Sequence, residues 1–216
     1  MTEAPTRMDR RRAKTRAALV SAAQQFLAED RTNVSVLEIT QAADVGLGSF
    51  YNHFETKDEL FQAAVDQLLE THGDLMDRVT EGIDDPAEVF ARAFRLTGRL
   101  HRQLPAASRI MVQYGPDLLY SEHGLGPRAL RDIKAAKKAG RFTISDPELA
   151  LAVAGGAVLA LGQLLHVQPK RNAAKAADEL TAGLLRMFGV DADEADEICS
   201  RALPDLSELV EPRATG

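Results

Sequence analysis

The densest run of chemically capable side chains lies between Arg7 and Arg16. Six bases (Arg7, Arg10, Arg11, Arg12, Lys14, Arg16) stand there against Asp9 alone, a local balance of +5. Such a cluster suits the phosphate backbone of a nucleic acid. From Asp191 to Glu211 the balance reverses to −7, eight acids against Arg201, and that end would repel the same partner. The net charge of −6 argues against a general polyanion coat. Enzyme chemistry finds less material. Gly46-Leu47-Gly48 lacks the third glycine and the preceding strand of a dinucleotide loop, and the chain has no HExxH, GxSxG or Walker loop. His53, His72, His101, His123 and His166 have no metal-ligand spacing, so neither a metal nor a cofactor is expected. Cys199, the single cysteine, stands in an acidic segment without a nearby cation to activate it. It excludes an internal disulfide and fits a reducing compartment.

The elements that must position these groups are helices. Aromatic residues are 5% of the 216 and Trp is absent, while Ala, Leu, Glu and Arg abound, so an all-α fold is expected. Leu19, Ala22, Ala23 and Phe26 repeat at helical spacing, predicting a first helix from about Asp9 to Glu29 whose opening turns carry the +5 patch. Ser35-x-x-Glu38 and Thr56-x-x-Glu59 are capping boxes, and they start helices at Val36 and Lys57. Between them, turn residues at Asp44 to Gly48 leave room for one short helix, from Ser49 to Phe54. Asp85-Pro86 and Asp146-Pro147 each place an N-cap acid before a proline at N1, so helices begin there too. Further helices are predicted over 110–120, 127–139, 171–188 and 193–202, with Gly115-Pro116, Gly124-Leu-Gly126 and Gly140 as breaks.

Three short helices, the last two joined by a tight turn, form a helix-turn-helix, whose second helix enters the DNA major groove. Any small helical bundle has such turns. The segment Val34 to Leu60, VSVLEITQAADVGLGSFYNHFETKDEL, however, resembles the DNA-binding signature of the tetracycline-repressor family of bacterial transcription regulators. The likeness lies in Ile39, Ala43, Val45, Gly48-Ser49, Phe50-Tyr51-x-His53-Phe54 and Thr56-Lys57-x-Glu59-Leu60. The resemblance implies an N-terminal three-helix domain, residues 1–56 with the basic arm, and a larger helical ligand-binding and dimerisation domain, residues 57–216. It makes Val45, Phe50 and Phe54 core, and presents Leu47, Gly48 and Ser49 to base edges. Tyr51, His53 and Lys57 become phosphate contacts. Arg10, Arg11, Arg12 and Lys14 join them on charge, and Ser35, Val36, Leu37, Gly46 and Asn52 complete the expected DNA-binding set. Two positions depart from the family pattern: Asp44 stands at a turn position commonly glycine, and Gly46 where Ser or Thr usually caps the third helix. Leu37 and Leu47 replace polar base-reading side chains, so contact with thymine methyls and reliance on DNA shape are expected.

The second domain has candidates of another kind. His72 and His101 interrupt apolar stripes containing Met76, Phe90 and Phe94, the composition of an apolar pocket with few orienting groups. Met111, Tyr114, Tyr120 and Phe142 join the same ligand-binding set. Leu149 to Val167 is nineteen residues without a charge. Its small-residue ladder Ala152, Gly156 and Ala160, with Gln163, favours a helix at a subunit interface over a membrane span. The resemblance agrees, since the family dimerises through its last two long helices, and Leu180, Leu184 and Met187 are the matching candidates on the second. An intramolecular core helix is the alternative. The N-terminal segment has no apolar stretch behind its bases, so a cytoplasmic protein is expected. The reading is a homodimeric repressor, not an enzyme, released from double-stranded operator DNA by an apolar small-molecule effector. The rival is a small helical enzyme or carrier for a hydrophobic metabolite that binds no DNA; the basic arm and the Phe50 to Lys57 run separate the two.

Overall fold

A computed structural model describes residues 6–119, 121 and 124–205 of the protein. Among them are ten helices and no strand, so the all-α expectation holds. The chain divides into two compact units between Leu68 and Leu69.

In the first unit, α1 (Arg7–Ala28), α2 (Val36–Ala42), α3 (Leu47–Tyr51) and the opening turns of α4 (Lys57–Thr80) surround Leu19, Ile39, Phe50, Phe54 and Leu60, all buried. The Ser35 hydroxyl accepts from the Glu38 amide at 3.2 Å, and the Glu38 carboxylate accepts from the Ser35 amide at 2.8 Å. That reciprocal cap starts α2. At Thr56 the reciprocity shifts by one residue, because the Glu59 carboxylate accepts from the Glu55 amide at 2.7 Å instead. Asp44 makes the turn in the left-handed region, φ 53°, a conformation that an Asp side chain tolerates by bonding locally. Gly46 caps α3 without a side-chain bond. The third helix thus begins two residues before the expected Ser49 and ends at Tyr51, after which the Phe54 amide still bonds back to the Phe50 carbonyl at 3.0 Å.

In the second unit α5 (Pro86–Gln103) is central. It packs against α6 (Pro105–Leu119), α7 (Leu125–Lys138), α8 (Pro147–Val167), α9 (Ala173–Met187) and α10 (Ala192–Ser200). Asp85 and Asp146 cap α5 and α8 ahead of Pro86 and Pro147, as their order predicts. Phe90, Phe142 and Phe188 form an aromatic cluster, with ring centroids 5.1 to 5.6 Å apart. Arg95, buried on α5, donates to Asp178 at 2.7 Å and to the Arg201 carbonyl at 2.9 Å, which pins the end of α10. Leaving such a guanidinium unpaired in the core would be costly.

One break is absent. The helix expected from Ile110 starts at Pro105 and runs through Gly115-Pro116 without interruption. Gly115 serves packing: a Cβ there would lie 2.5 Å from Leu159 Cδ1 of α8, so the glycine permits close approach.

Candidate functional site

The N-terminal cluster of bases is helical. Thr6 caps α1, its hydroxyl accepting from the Asp9 amide at 3.2 Å while the Asp9 carboxylate accepts from the Thr6 amide at 3.0 Å. The Thr6 hydroxyl, which also donates to that carboxylate at 2.7 Å, and the Thr6 amide together hold the Asp9 carboxyl below the usual carboxylate range. Arg10, Arg11, Arg12 and Lys14 are all exposed, and the first buried residue of α1 is Leu19. About 18 Å of basic helix, at 1.5 Å per residue, precedes the core. Arg16 lies over the Phe54 ring, 5.2 Å from its centroid. Partial burial, with Arg12 and Arg16 nearby, pushes the His53 imidazole down.

The helix-turn-helix presents its residues unevenly. Leu37, Gly46, Leu47, Gly48, Tyr51 and Asn52 are exposed, whereas Val36, Ser49 and His53 are half-buried. The Ser35 hydroxyl is exposed but engaged with Glu38. Lys57, half-buried, donates to the Val34 carbonyl at 3.0 Å. An ammonium has three donors, so two N–H groups are left over for another acceptor. Val45, expected as core, is half-buried.

The second unit holds a partly open cavity of about 100 Å³. Its lining includes Met76, Phe90, Phe94 and Met111 from the expected set, joined by Leu151 and Val158 of α8. Thr97, Asp77, Arg128 and Asp132 supply the polar wall. Arg128 donates to Asp77 at 2.8 Å and to Asp74 at 2.6 Å; Arg131 donates to Asp77 at 2.7 Å and to Asp132 at 2.8 Å. Burial acts to raise the Asp77 carboxyl, but its bonds from Arg131 and Arg128 outweigh that and hold it low. At Asp132 burial wins over Arg131, and the carboxyl is raised. The cavity is therefore apolar over most of its surface, with Thr97, Asp77, Arg128 and Asp132 supplying a small polar part.

Several expected ligand residues lie elsewhere. His72 stands behind the wall: its Nε2 is 3.0 Å from the Thr97 hydroxyl, which also donates to the Met76 sulfur at 3.6 Å. Phe142 belongs to the aromatic core, and Tyr114 is half-buried outside the lining. Tyr120 falls outside the described residues, as does His123. His101 Nδ1 is 2.7 Å from the Ser108 hydroxyl, which is in turn 2.9 Å from His166 Nε2. A serine between two imidazoles has the makings of a nucleophile and base. Ser108 and His101 are buried away from the cavity, however, so no substrate in it reaches them. His101 Nε2 has no hydrogen-bond partner among the described residues. Burial pushes both His72 and His101 down to about 4.

Sequence alone does not single out Asp77, Arg128 and Asp132, because charged side chains usually mark a solvated face. A signal existed: Asp74-x-x-Asp77 and Arg128-x-x-Arg131-Asp132 are opposite charges at helical spacing, able to face one another.

On α8 the exposed residues are Leu149, Val153, Gly156, Ala160, Gln163 and Val167, with Glu148 in the first turn. Their spacing of 4-3-4-3-4 makes one apolar seam along the helix. Ala152 and Leu180 are half-buried, Leu184 is buried in the protomer's own core, and Met187 is exposed. By length and composition α8 is also apolar enough to cross a membrane.

Comparison with known proteins matches residues 18–64 to "Bacterial regulatory proteins, tetR family" and residues 85–201 to "Tetracyclin repressor-like, C-terminal domain". No curated sequence matches. Among solved structures, RolR without ligand is 37% identical with a TM-score of 0.71, covering 88% of this chain and 98% of that one. RolR in complex with resorcinol is 35% identical with a TM-score of 0.63, covering 91% and 98%. SmeT, the repressor of a Stenotrophomonas maltophilia multidrug efflux pump, shares the fold at 18% identity and a TM-score of 0.63, covering 81% and 92%.

Proposed function

The chain belongs to the tetR family of bacterial regulatory proteins, and from that premise we propose that it is a ligand-responsive, DNA-binding transcriptional repressor acting as a cytoplasmic homodimer. The observation that carries this reading is that one chain holds both parts of such a device. An exposed helix-turn-helix follows a basic helix, and a separate unit holds an apolar cavity with a small polar part. The DNA-binding part is residues 1–56 with the start of α4, and the remainder binds ligand and dimerises. Leu37, Leu47 and Ser49 face base edges. Tyr51, His53, Lys57 and the bases of α1 meet phosphates, with Ser35, Val36, Gly46 and Asn52 bordering them. The effector acts through α4, because Met76 and Asp77 line the cavity and Lys57, on the same helix, is tied to Val34. It changes operator affinity only as far as it prefers one arrangement of the protein over the other.

The effector is a small hydroxylated aromatic. At about 100 Å³ the cavity is smaller than the apolar cavity of about 150 Å³ that takes benzene, so it admits a single ring, and nothing larger, by widening around it. Asp132 and Arg128 would take its hydroxyls, and Phe90, Phe94 and Met111 its ring faces. RolR, crystallised with resorcinol, points to the same class. At a hundredfold excess over Kd, resorcinol is expected to add about 2.7 kcal/mol of stability. For a chain of this size that raises Tm by roughly 5 to 11 °C. It should also release operator DNA in a fluorescence anisotropy assay. Asp132→Asn should cut the thermal shift sharply, while unliganded Tm and DNA binding stay near wild type. An undiminished shift would place the effector elsewhere.

Self-association through the α8 seam is tested by Gly156→Leu. A Cβ at Gly156 meets nothing within the protomer, so the variant folds as a chain. Overpacking the seam costs about 1 to 3 kcal/mol, which is roughly five- to 150-fold in the dimer dissociation constant. Sedimentation at micromolar concentration is expected to give about twice the chain mass for wild type and a lower average mass for the variant. An unchanged dimer would remove α8 from the interface.

A further inference from the structure

In the first unit, the helix that the regulator reading places in the major groove carries no side chain able to make a bidentate bond to a purine. α3 is Leu47, Gly48, Ser49, Phe50 and Tyr51, and Phe50 is wholly buried. No Arg, Lys, Asn or Gln stands on it. What it offers outward is apolar: Leu47 is 48% exposed and Leu37, in the first turn of α2, is 53% exposed. Large apolar side chains gain nothing from water, and neither packs into the core of the unit. Gly48 adds a second observation. It lies inside a helix, where glycine is unfavourable, yet a Cβ there would meet nothing within 4 Å, so the fold has no use for its bareness. The adjoining bases of α1 determine the sign of the partner: a polyanion.

We propose that Leu47, assisted by Leu37, reads the 5-methyl groups of thymines in the major groove, and that Gly48 is bare so that the DNA can approach α3 closely. The thymine methyl is the one apolar group that bases present in that groove, and leucine matches it where a hydrogen-bonding side chain would not. The inference rests on the regulator reading and deepens it. The operator half-site should therefore hold thymine at one or two fixed positions, with other positions specified by Ser49 and by DNA shape.

The test begins by selecting duplexes from a random-sequence library with the full-length protein. Each thymine of the selected duplex is then replaced in turn by uracil, which lacks only the methyl. At one or two positions per half-site, affinity should fall roughly fourfold per methyl, the worth of one buried carbon in transfer terms. In Leu47→Ala the same replacement should cost less than twofold, the signature of a coupled pair in a double-mutant cycle. Leu47→Ala should leave Tm unchanged, because the side chain is exposed. Gly48→Ala should hold or raise Tm and weaken every duplex alike. A selected operator with a flat uracil scan would overturn the methyl readout while leaving the regulator intact, and Gly48→Ala binding at wild-type strength would overturn the close approach. Failure to select any duplex would overturn both readings.

Discussion

Between pH 7 and pH 4 the protein is expected to lose on the order of 6 kcal/mol of folding stability from two buried histidines. Burial depresses His72 and His101 from an ordinary value of 6.5 to about 4. In the unfolded chain both protonate near 6.5, so in this window the unfolded state binds more protons and stability must fall as pH falls. The contribution is complete above 6.5, erodes down to about 4, and changes no further below that. Each pKa unit is worth about 1.4 kcal/mol, or roughly 3 kcal/mol per histidine. His166 is shifted down by partial burial and by Arg109 and Arg102, and it adds in the same direction. The ion-paired carboxylates Asp77 and Asp85 are held low and respond at lower pH, so they do not account for a loss that begins near 6.5. Urea unfolding followed by circular dichroism at pH 7.5, 6, 5 and 4.5 should give a slope approaching two protons. In His72→Gln, which keeps a hydrogen-bonding group for Thr97, the slope should drop by about one. A slope below one proton between pH 6 and pH 5 in wild type would mean that neither imidazole is held neutral by the core.

Replacing Arg10, Arg11, Arg12 and Lys14 together by Gln is expected to weaken operator binding near 0.15 M salt by about a thousandfold for each protomer of the dimer, about a millionfold in all. Each phosphate contact contributes about 0.9 to the slope of log K against log salt, so the eight contacts of a dimer carry a slope of about 7, of which each protomer supplies about 3.6. Measured from a 1 M reference, each protomer's share amounts to about three decades of affinity at 0.15 M. Glutamine is chosen because it sustains the helix that the Thr6 cap begins. Arg16 is left in place, since it packs over Phe54. None of the four is buried, so Tm should stay within a degree or two. The loss should be uniform across operator variants, because phosphates carry position but not sequence. A salt slope unchanged in the quadruple variant would move the exposed turns of α1 off the DNA, whatever happened to affinity.

What the sequence determined by itself lies within a few residues of its own signal. Ser35 with Glu38, Asp85 before Pro86 and Asp146 before Pro147 each start a helix where their order says, because a cap bonds to amides two or three positions away. Asp44 makes the turn before α3 for the same local reason. The family-like run from Val34 to Leu60 was legible because its roles are spelled out in consecutive positions of one small unit. Tertiary structure decided the rest. Gly115-Pro116, a break by local chemistry, lies inside α6, where the bare Gly115 leaves room for Leu159 of α8. Phe142, Leu184 and His101 have the composition of pocket or interface residues, yet Phe142 and Leu184 complete the core and His101 bonds Ser108. Asp77, Arg128 and Asp132 look like solvated charges, yet they line the cavity. Helical periodicity tells which residues share a face but not which neighbour that face meets. A cavity is formed by faces of α4 to α8, brought together from positions 69 to 159 of the chain. The partner of each side chain there is set by packing across the whole unit, a long-range choice that no local pattern encodes.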